Sequence, residues 1–370
     1  MKWSWKIGTF SGIDVFIHAT FLLIIGWVGL SYWGQTRTVA GTLEGILFTL
    51  VLFGCVVLHE FGHALTARRY GIKTRDITLY PIGGVARLER MPDKPIQEFW
   101  VALAGPAVNV VIAALLFGWL TATGSPAPFT GLSMTSGPFL ERLLLVNVTL
   151  VVFNLIPAFP MDGGRVLRSL LAMRLEYTRA TQIAANIGQG LALMFGFIGL
   201  FSNPSLLFIA FFVWIGAAQE ASMVQMKSSL GGIPVGRAML TNFDELSPRD
   251  SLSRAVELIL RGTQTDFPVV EGNAVVGVLT RGDVLAALSR QGQEAAVGEI
   301  MRREFQIADT NEMLEPAFAR LQTCDCHTMP VTSRGQLVGL LTSENIGEFL
   351  MIQSALGRTG SQGRLLAPRT

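Results

Sequence analysis

The segment LHEFGH (residues 58–63) sets two histidines and a glutamate at the end of an apolar run. Residues four apart on a helix share a face, so the imidazoles of His59 and His63 can reach one cation together. Glu60, beside the first, is placed to take a proton from water that such a cation acidifies. Two imidazoles favour Zn²⁺ without excluding other transition metals, and a catalytic zinc takes three protein ligands and keeps one position open. The third ligand must come from elsewhere. NLIPAFPMDGGR (154–165) offers Asp162: Pro157 and Pro160 cannot continue a helix, and the glycines after Asp162 permit close approach.

Electrostatics gives the same answer. A lone carboxylate near the bilayer interior costs roughly 2.5 to 3.5 kcal/mol on insertion scales. Neutral His59 and His63, anionic Asp162 and a dication sum to one positive charge, which ionised Glu60 cancels. Two of the chain's 4 histidines are used in this motif.

The elements that must position these groups are mostly membrane helices. The chain has 370 residues, 50% of them apolar, and a mean hydropathy of +0.45, too high for an ordinary soluble protein. Charges are sparse up to Met226, 26 in 226 residues, and denser after it, 30 in 144. A membrane domain of residues 1–225 is therefore expected to pass through a linker (226–234) into a soluble part. The net charge of +2 is spread over the flanks of apolar runs, so nucleic acid is not indicated. Three cysteines form no disulfide framework and suit a reducing cytosolic side. The N-terminal apolar run lacks a small-residue cleavage site and is expected to be a retained helix.

Spans of about 20 apolar residues are expected at roughly 14–34, 42–66, 98–122, 139–158, 183–201 and 205–224. The second is long enough only if HEFGH lies inside the membrane, because the uncharged run from Gly45 to Leu58 covers 14 residues. Residues 180–219 carry no charge, and Ser202-Asn203-Pro204 divides them into a hairpin of two spans. Basic residues crowd the N-terminus and the loops after the second and fourth spans, whereas the opposite loops hold Arg37 and Arg142 alone. Both termini are therefore expected in the cytosol. His59, His63 and Asp162 then share one depth near that face. The segment ITLYPIGGVARL (77–88) predicts a small membrane-associated β-hairpin beside the site.

The soluble part contains a repeat. DFPVVEGNAVVGVLTRGDVL (266–285) aligns with TMPVTSRGQLVGLLTSENIG (328–347) at a constant offset of 62 residues. This predicts two copies of one small α/β module, at 235–291 and 297–352, followed by a flexible tail (353–370). Cys324-Asp325-Cys326-His327 looks like a metal tract but lacks the second pair that a structural zinc needs.

HEFGH and NLIPAFPMDGG resemble the HExxH and NxxPxxPxDG motifs of the site-2 protease family of intramembrane zinc metalloproteases, over residues 1–225. The resemblance implies His59, His63 and Asp162 as zinc ligands, Glu60 as general base and Asn154 near the scissile peptide. It also makes AGPAVN (104–109) the family's GPxxN, with Asn109 near the site or serving close helix packing. His18 is read either as lining the catalytic cavity or as bonding a neighbouring helix, and Asn147 more simply as an interhelical hydrogen bond.

The repeats resemble a tandem CBS module, through GVLTRGD (277–283) and GLLTSEN (339–345). That implies an adenine nucleotide near Thr280, Asp283 and Thr342, or a module serving only homodimerisation; Asn345 departs from the expected Asp. The resulting expectation is a polytopic α-helical membrane protein of six transmembrane helices and a small hairpin, with a C-terminal α/β CBS pair. It would sit in a bacterial or archaeal cell membrane and hydrolyse a peptide bond in the transmembrane segment of a protein substrate near the cytosolic face. The alternative is a CBS-regulated divalent-metal transporter whose permeation site uses the same residues.

Overall fold

The computed structural model describes residues 3–92, 94–124, 137–324 and 327–363, which divide into two compact units, Met1–Val224 and Gln225–Thr370. The first contains β1 (Ser4–Phe10), β2 (Ile13–His18), α1 (Phe21–Thr36), α2 (Val39–Arg69), β3 (Thr74–Tyr80), β4 (Gly83–Leu88), α3 (Pro95–Ala122), α4 (Phe139–Asn154), α5 (Asp162–Ala172), α6 (Tyr177–Phe201) and most of α7 (Ser205–Leu230). Among the described residues, α2, α3, α6 and α7 are long and apolar enough to cross a membrane. Leu43, Leu47, Leu115, Trp119, Leu193, Phe197, Phe208 and Phe211 remain exposed on them. Such side chains suit contact with lipid rather than water.

Of the six expected spans, these four meet that measure of length and composition. Helices α1 and α4 have 16 residues each, about 24 Å at 1.5 Å per residue, short of a hydrocarbon core of about 30 Å. The start of the expected first span is a strand. Ser11 and Gly12, with φ of 52° and 79°, turn β1 back onto β2, and Ile13 and Val15 alternate inward. β2 then pairs in parallel with β3, Val15 opposite Ile77 and Ile17 opposite Leu79. The fourth helix stops at Asn154 because Pro157 follows, and the chain resumes as α5 with Asp162 as its first residue.

β3 and β4 pair antiparallel, Ile77 opposite Ala86 and Tyr80 opposite Gly83. The sheet order is β1-β2-β3-β4, so β1 and β4 are its edges. Helix α3 lies close against α2: a Cβ on Gly62 would meet the Ala104 carbonyl oxygen at 2.6 Å.

The second unit contains α8 (Leu252–Arg261), β5 (Phe267–Glu271), β6 (Ala274–Leu279), α9 (Arg281–Gln291), α10 (Val297–Ile300), β7 (Ala308–Asp309), α11 (Leu314–Thr323), β8 (Thr328–Ser333), β9 (Gln336–Thr342) and α12 (Ser343–Gly363). Each repeat has its own core with matching positions: Leu252, Phe267, Val269 and Leu279 in one, Leu314, Met329, Val331 and Leu341 in the other. The segment before each repeat packs with the opposite one. Leu240 exchanges backbone hydrogen bonds with Leu340, and Arg302 with Val278. Val235 and Ala238 accordingly belong to the second repeat's core, and Val297 and Met301 to the first's.

Helix α12 extends as far as Gly363; residues 364–370 lie outside the described residues, as do Asp325 and Cys326 of the CDCH tract. Cys324 is disulfide-bonded, while Cys55 is free and buried.

Candidate metal centre

His59 and His63 lie on α2 at helical spacing, and α5 begins at Asp162, so two elements far apart in sequence meet at one point. His59 Nε2 is 3.1 Å from His63 Nε2, and each lies 3.2 Å from Asp162 Oδ2. All three side chains are buried.

The partners on the far side of each ring decide what this cluster can hold. His63 Nδ1 lies 2.7 Å from the Val101 carbonyl oxygen, which only accepts, so Nδ1 carries the proton. His59 Nδ1 lies 2.6 Å from Asn109 Oδ1. The orientation of Asn109 is fixed by its amide, which donates to Asn147 Oδ1 at 2.9 Å, and Asn147 in turn donates to the Leu143 carbonyl at 2.8 Å. Both rings, when neutral, therefore turn a lone pair on Nε2 toward Asp162 Oδ2. Three acceptors face one another with no donor among them, an arrangement that is repulsive unless a cation or a proton sits between them. A tetrahedral ion with bonds of about 2.0–2.2 Å holds neighbouring ligand atoms about 3.4 Å apart. The observed spacing and the N, N, O donor set fit Zn²⁺.

Space for this arrangement comes from α3. A Cβ on Gly105 would collide with His63 Nε2 and His59 Nε2, so the motif AGPAVN serves the site through its glycine as well as its asparagine. Gly163 and Gly164 likewise let α5 begin against the carbonyls of Leu155, Ile156 and Ala158.

Glu60 projects from the same helix toward β4. The Ala86 N–H donates to Glu60 Oε2 at 3.1 Å, and a Cβ on Gly84 would meet Glu60 Cγ at 2.8 Å. The carboxylate is thus held by the backbone of the edge strand and has no side-chain hydrogen-bond partner among the described residues.

The other expected residues are distributed differently. Asn109, expected near the site or in close helix packing, is fully buried, and both ends of its amide are taken, by His59 and Asn147. It is placed to orient a candidate ligand. Asn147, expected to do no more than join helices, is the next link in that chain and also reaches Cys55 Sγ at 3.7 Å. His18 closes β2, bonds Thr20 Oγ1 at 2.8 Å and lies against the Tyr80 ring at 5.1 Å; it is not brought to the His–His–Asp cluster. Asn154 ends α4, half-buried.

In the second unit, Thr280 caps α9 in a reciprocal capping box with Asp283. Arg302 grips that carboxylate from two sides, Nε to Oδ2 at 2.8 Å and an Nη to Oδ1 at 3.1 Å. Burial works against the charge of Asp283, but the hydrogen bonds from Arg302 and Thr280 outweigh it and hold the carboxyl below the usual carboxylate range. Thr342 Oγ1 accepts from the Asn345 N–H at 3.1 Å.

A buried His–His–carboxylate cluster beside a second carboxylate, in a unit of apolar helices, is the arrangement of a membrane metallopeptidase. The sequence profile of peptidase family M50 matches residues 47–133 and 130–195, and that of the CBS domain matches 235–290 and 297–351. The zinc metalloprotease MJ0392 of Methanocaldococcus jannaschii is 32% identical over 94% of this chain and 96% of its own. The solved site-2 protease from M. jannaschii is 39% identical over 59% of this chain and 95% of its own, with a TM-score of 0.43. The solved CBSX2 in complex with AMP is 26% identical over 35% of this chain and 99% of its own, with a TM-score of 0.30. The chain belongs to peptidase family M50, the site-2 proteases: it is an integral membrane zinc metalloprotease with a tandem CBS pair. A metal transporter is not favoured.

Proposed function

We propose that this chain is an intramembrane endopeptidase that uses His59, His63 and Asp162 to hold zinc and Glu60 as general base, and that it cuts a peptide bond in the transmembrane segment of a protein substrate near the cytosolic face. The observation that carries this reading is the convergence of three lone-pair atoms with no donor among them, next to a carboxylate held by a backbone amide. Bound zinc supplies Lewis-acid chemistry, acidifying water and polarising the scissile carbonyl. Glu60 takes the proton from the attacking water and returns it to the departing amine nitrogen. Asn109 and the Val101 carbonyl keep both imidazoles in the tautomer that a cation requires. Asn154 is proposed to position the substrate backbone.

A helical peptide bond is shielded by its own hydrogen bonds, so the substrate must unwind. β4 is an edge of its sheet, and its Ala86 N–H points to Glu60, so a substrate strand added along that edge would run past the base. The cytosolic placement of the termini and of the CBS pair rests on the basic loops. The CBS pair is proposed to bind an adenine nucleotide around Thr280, Asp283 and Thr342 and to tune access, and to support a homodimer.

The deciding experiment is cleavage of single-span substrates in proteoliposomes by wild-type and Glu60→Gln enzyme, with zinc measured in both. The variant should retain its zinc and lose about 10²- to 10⁴-fold in kcat. Near-wild-type cleavage by Glu60→Gln would remove the proposed base.

A further inference from the structure

Among the described residues, the most deeply buried charge in the membrane unit is not in the metal centre. Arg168, on α5, is 0% exposed. Its Nε donates to Glu98 Oε1 of α3 at 2.8 Å, a second nitrogen reaches the same oxygen, and a third reaches Glu220 Oε1 of α7. The guanidinium carbon also lies 5.0 Å from the ring centroids of Phe159 and of Tyr177. One side chain thus ties α5 to α3, α6 and α7. Removing one partner of such a buried pair leaves the other uncompensated in a place where water cannot reach it.

The geometry matters because of what else α3 and α5 carry. Within α3, Glu98, Val101, Gly105 and Asn109 recur at helical spacing. Val101 and Asn109 hold the rings of His63 and His59, and Gly105 gives both Nε2 atoms their room. The α2 ligands are therefore indexed to α3. Asp162 is the first residue of α5, an 11-residue helix, and it has no hydrogen bond of its own to α3 among the described contacts. The side chain that fixes α5 against α3 by charge is Arg168, through Glu98.

We propose that Arg168 and Glu98 are positioning residues for the metal centre: their buried ion pair sets the register of α5 on α3, and so the distance from Asp162 to the two imidazoles. The inference rests on the metal reading given above. A purely structural clamp would change stability alone; a register device changes metal affinity and coordination in protein that is still folded.

The test uses the full chain in detergent, with zinc affinity from chelator competition, the visible spectrum of Co²⁺-loaded protein, and the kcat and KM of cleavage. Arg168→Gln and Glu98→Gln should each weaken zinc binding about 10- to 100-fold, shift the Co²⁺ bands and lower kcat with KM little changed. Arg168→Lys, which keeps the charge but loses the fork, should recover part of the affinity. If Arg168→Gln fails to fold, Glu98→Gln, which preserves shape and one acceptor, decides the matter. Folded variants with wild-type zinc affinity and an unchanged Co²⁺ spectrum would overturn the proposal. Wild-type protein that takes up no zinc would instead overturn the metal reading beneath it.

Discussion

The metal centre and the CBS module each present a carboxylate in a polar constellation, buried in the first and half-buried in the second, and they resolve its charge in opposite ways. Asp162 faces two imidazole lone pairs and nothing in the cluster offsets it, so the site is poised for a cation. Asp283 is already gripped by Arg302 on both oxygens and capped by Thr280. A ligand seeking that carboxylate must compete with an arginine. The first site offers a cation a ready set of donors; at the second, any ligand taking the carboxylate would have to replace one partner by another.

The largest expected effect breaks the first half of that comparison. Asp162→Ala should abolish stoichiometric zinc and reduce cleavage to background, measured by metal analysis and a substrate assay on the same preparation; retained zinc would mean that the cation sits elsewhere. Gly105→Ala comes next. In an ordinary helix this change stabilises by up to about 1 kcal/mol, but here the added methyl would occupy the space of both imidazole nitrogens. Zinc affinity should fall about 100-fold or more, and overpacking at the buried rings should lower the melting temperature as well. Asn147→Ala, two links from the metal, should cost about 10-fold in zinc affinity, because Asn109 loses the partner that keeps its oxygen toward His59.

The smallest effects sharpen the other half. Arg302→Ala releases Asp283, and AMP affinity measured by calorimetry should rise severalfold if that carboxylate receives a ribose. The same variant should alter the acid side of stability. Because the folded pKa of Asp283 is lowered, its contribution is present above the unfolded value and is lost as pH falls through the folded one. Melts between about pH 3 and 7 should show a shallower acid loss in Arg302→Ala than in wild type.

What could be read from the chain beforehand follows from how local each signal is. His59, Glu60 and His63 announce themselves because helical spacing alone puts the two imidazoles on one face, and Asp162 because prolines and glycines in an apolar run demand a reason. The strand at Ile13–His18 was not legible: a continuous apolar stretch reads as strand or helix equally well until a partner such as β3 is known. Arg168 was counted among the cytosolic loop cations, whereas it is enclosed by Glu98 and Glu220 from helices 70 and 52 residues away in sequence. Asn147 was undervalued for a similar reason. Its role exists only through Asn109, and no spacing rule records a contact relayed across two helices.

One consequence follows from the way Glu60 is tethered. The amide that holds it belongs to the main chain of β4, so every side chain can be exchanged at position 86 without removing the donor, proline alone excepted. An alanine scan of the hairpin would pass over this tether in silence. Only backbone chemistry, a proline or an ester in place of that peptide link, can expose what it contributes.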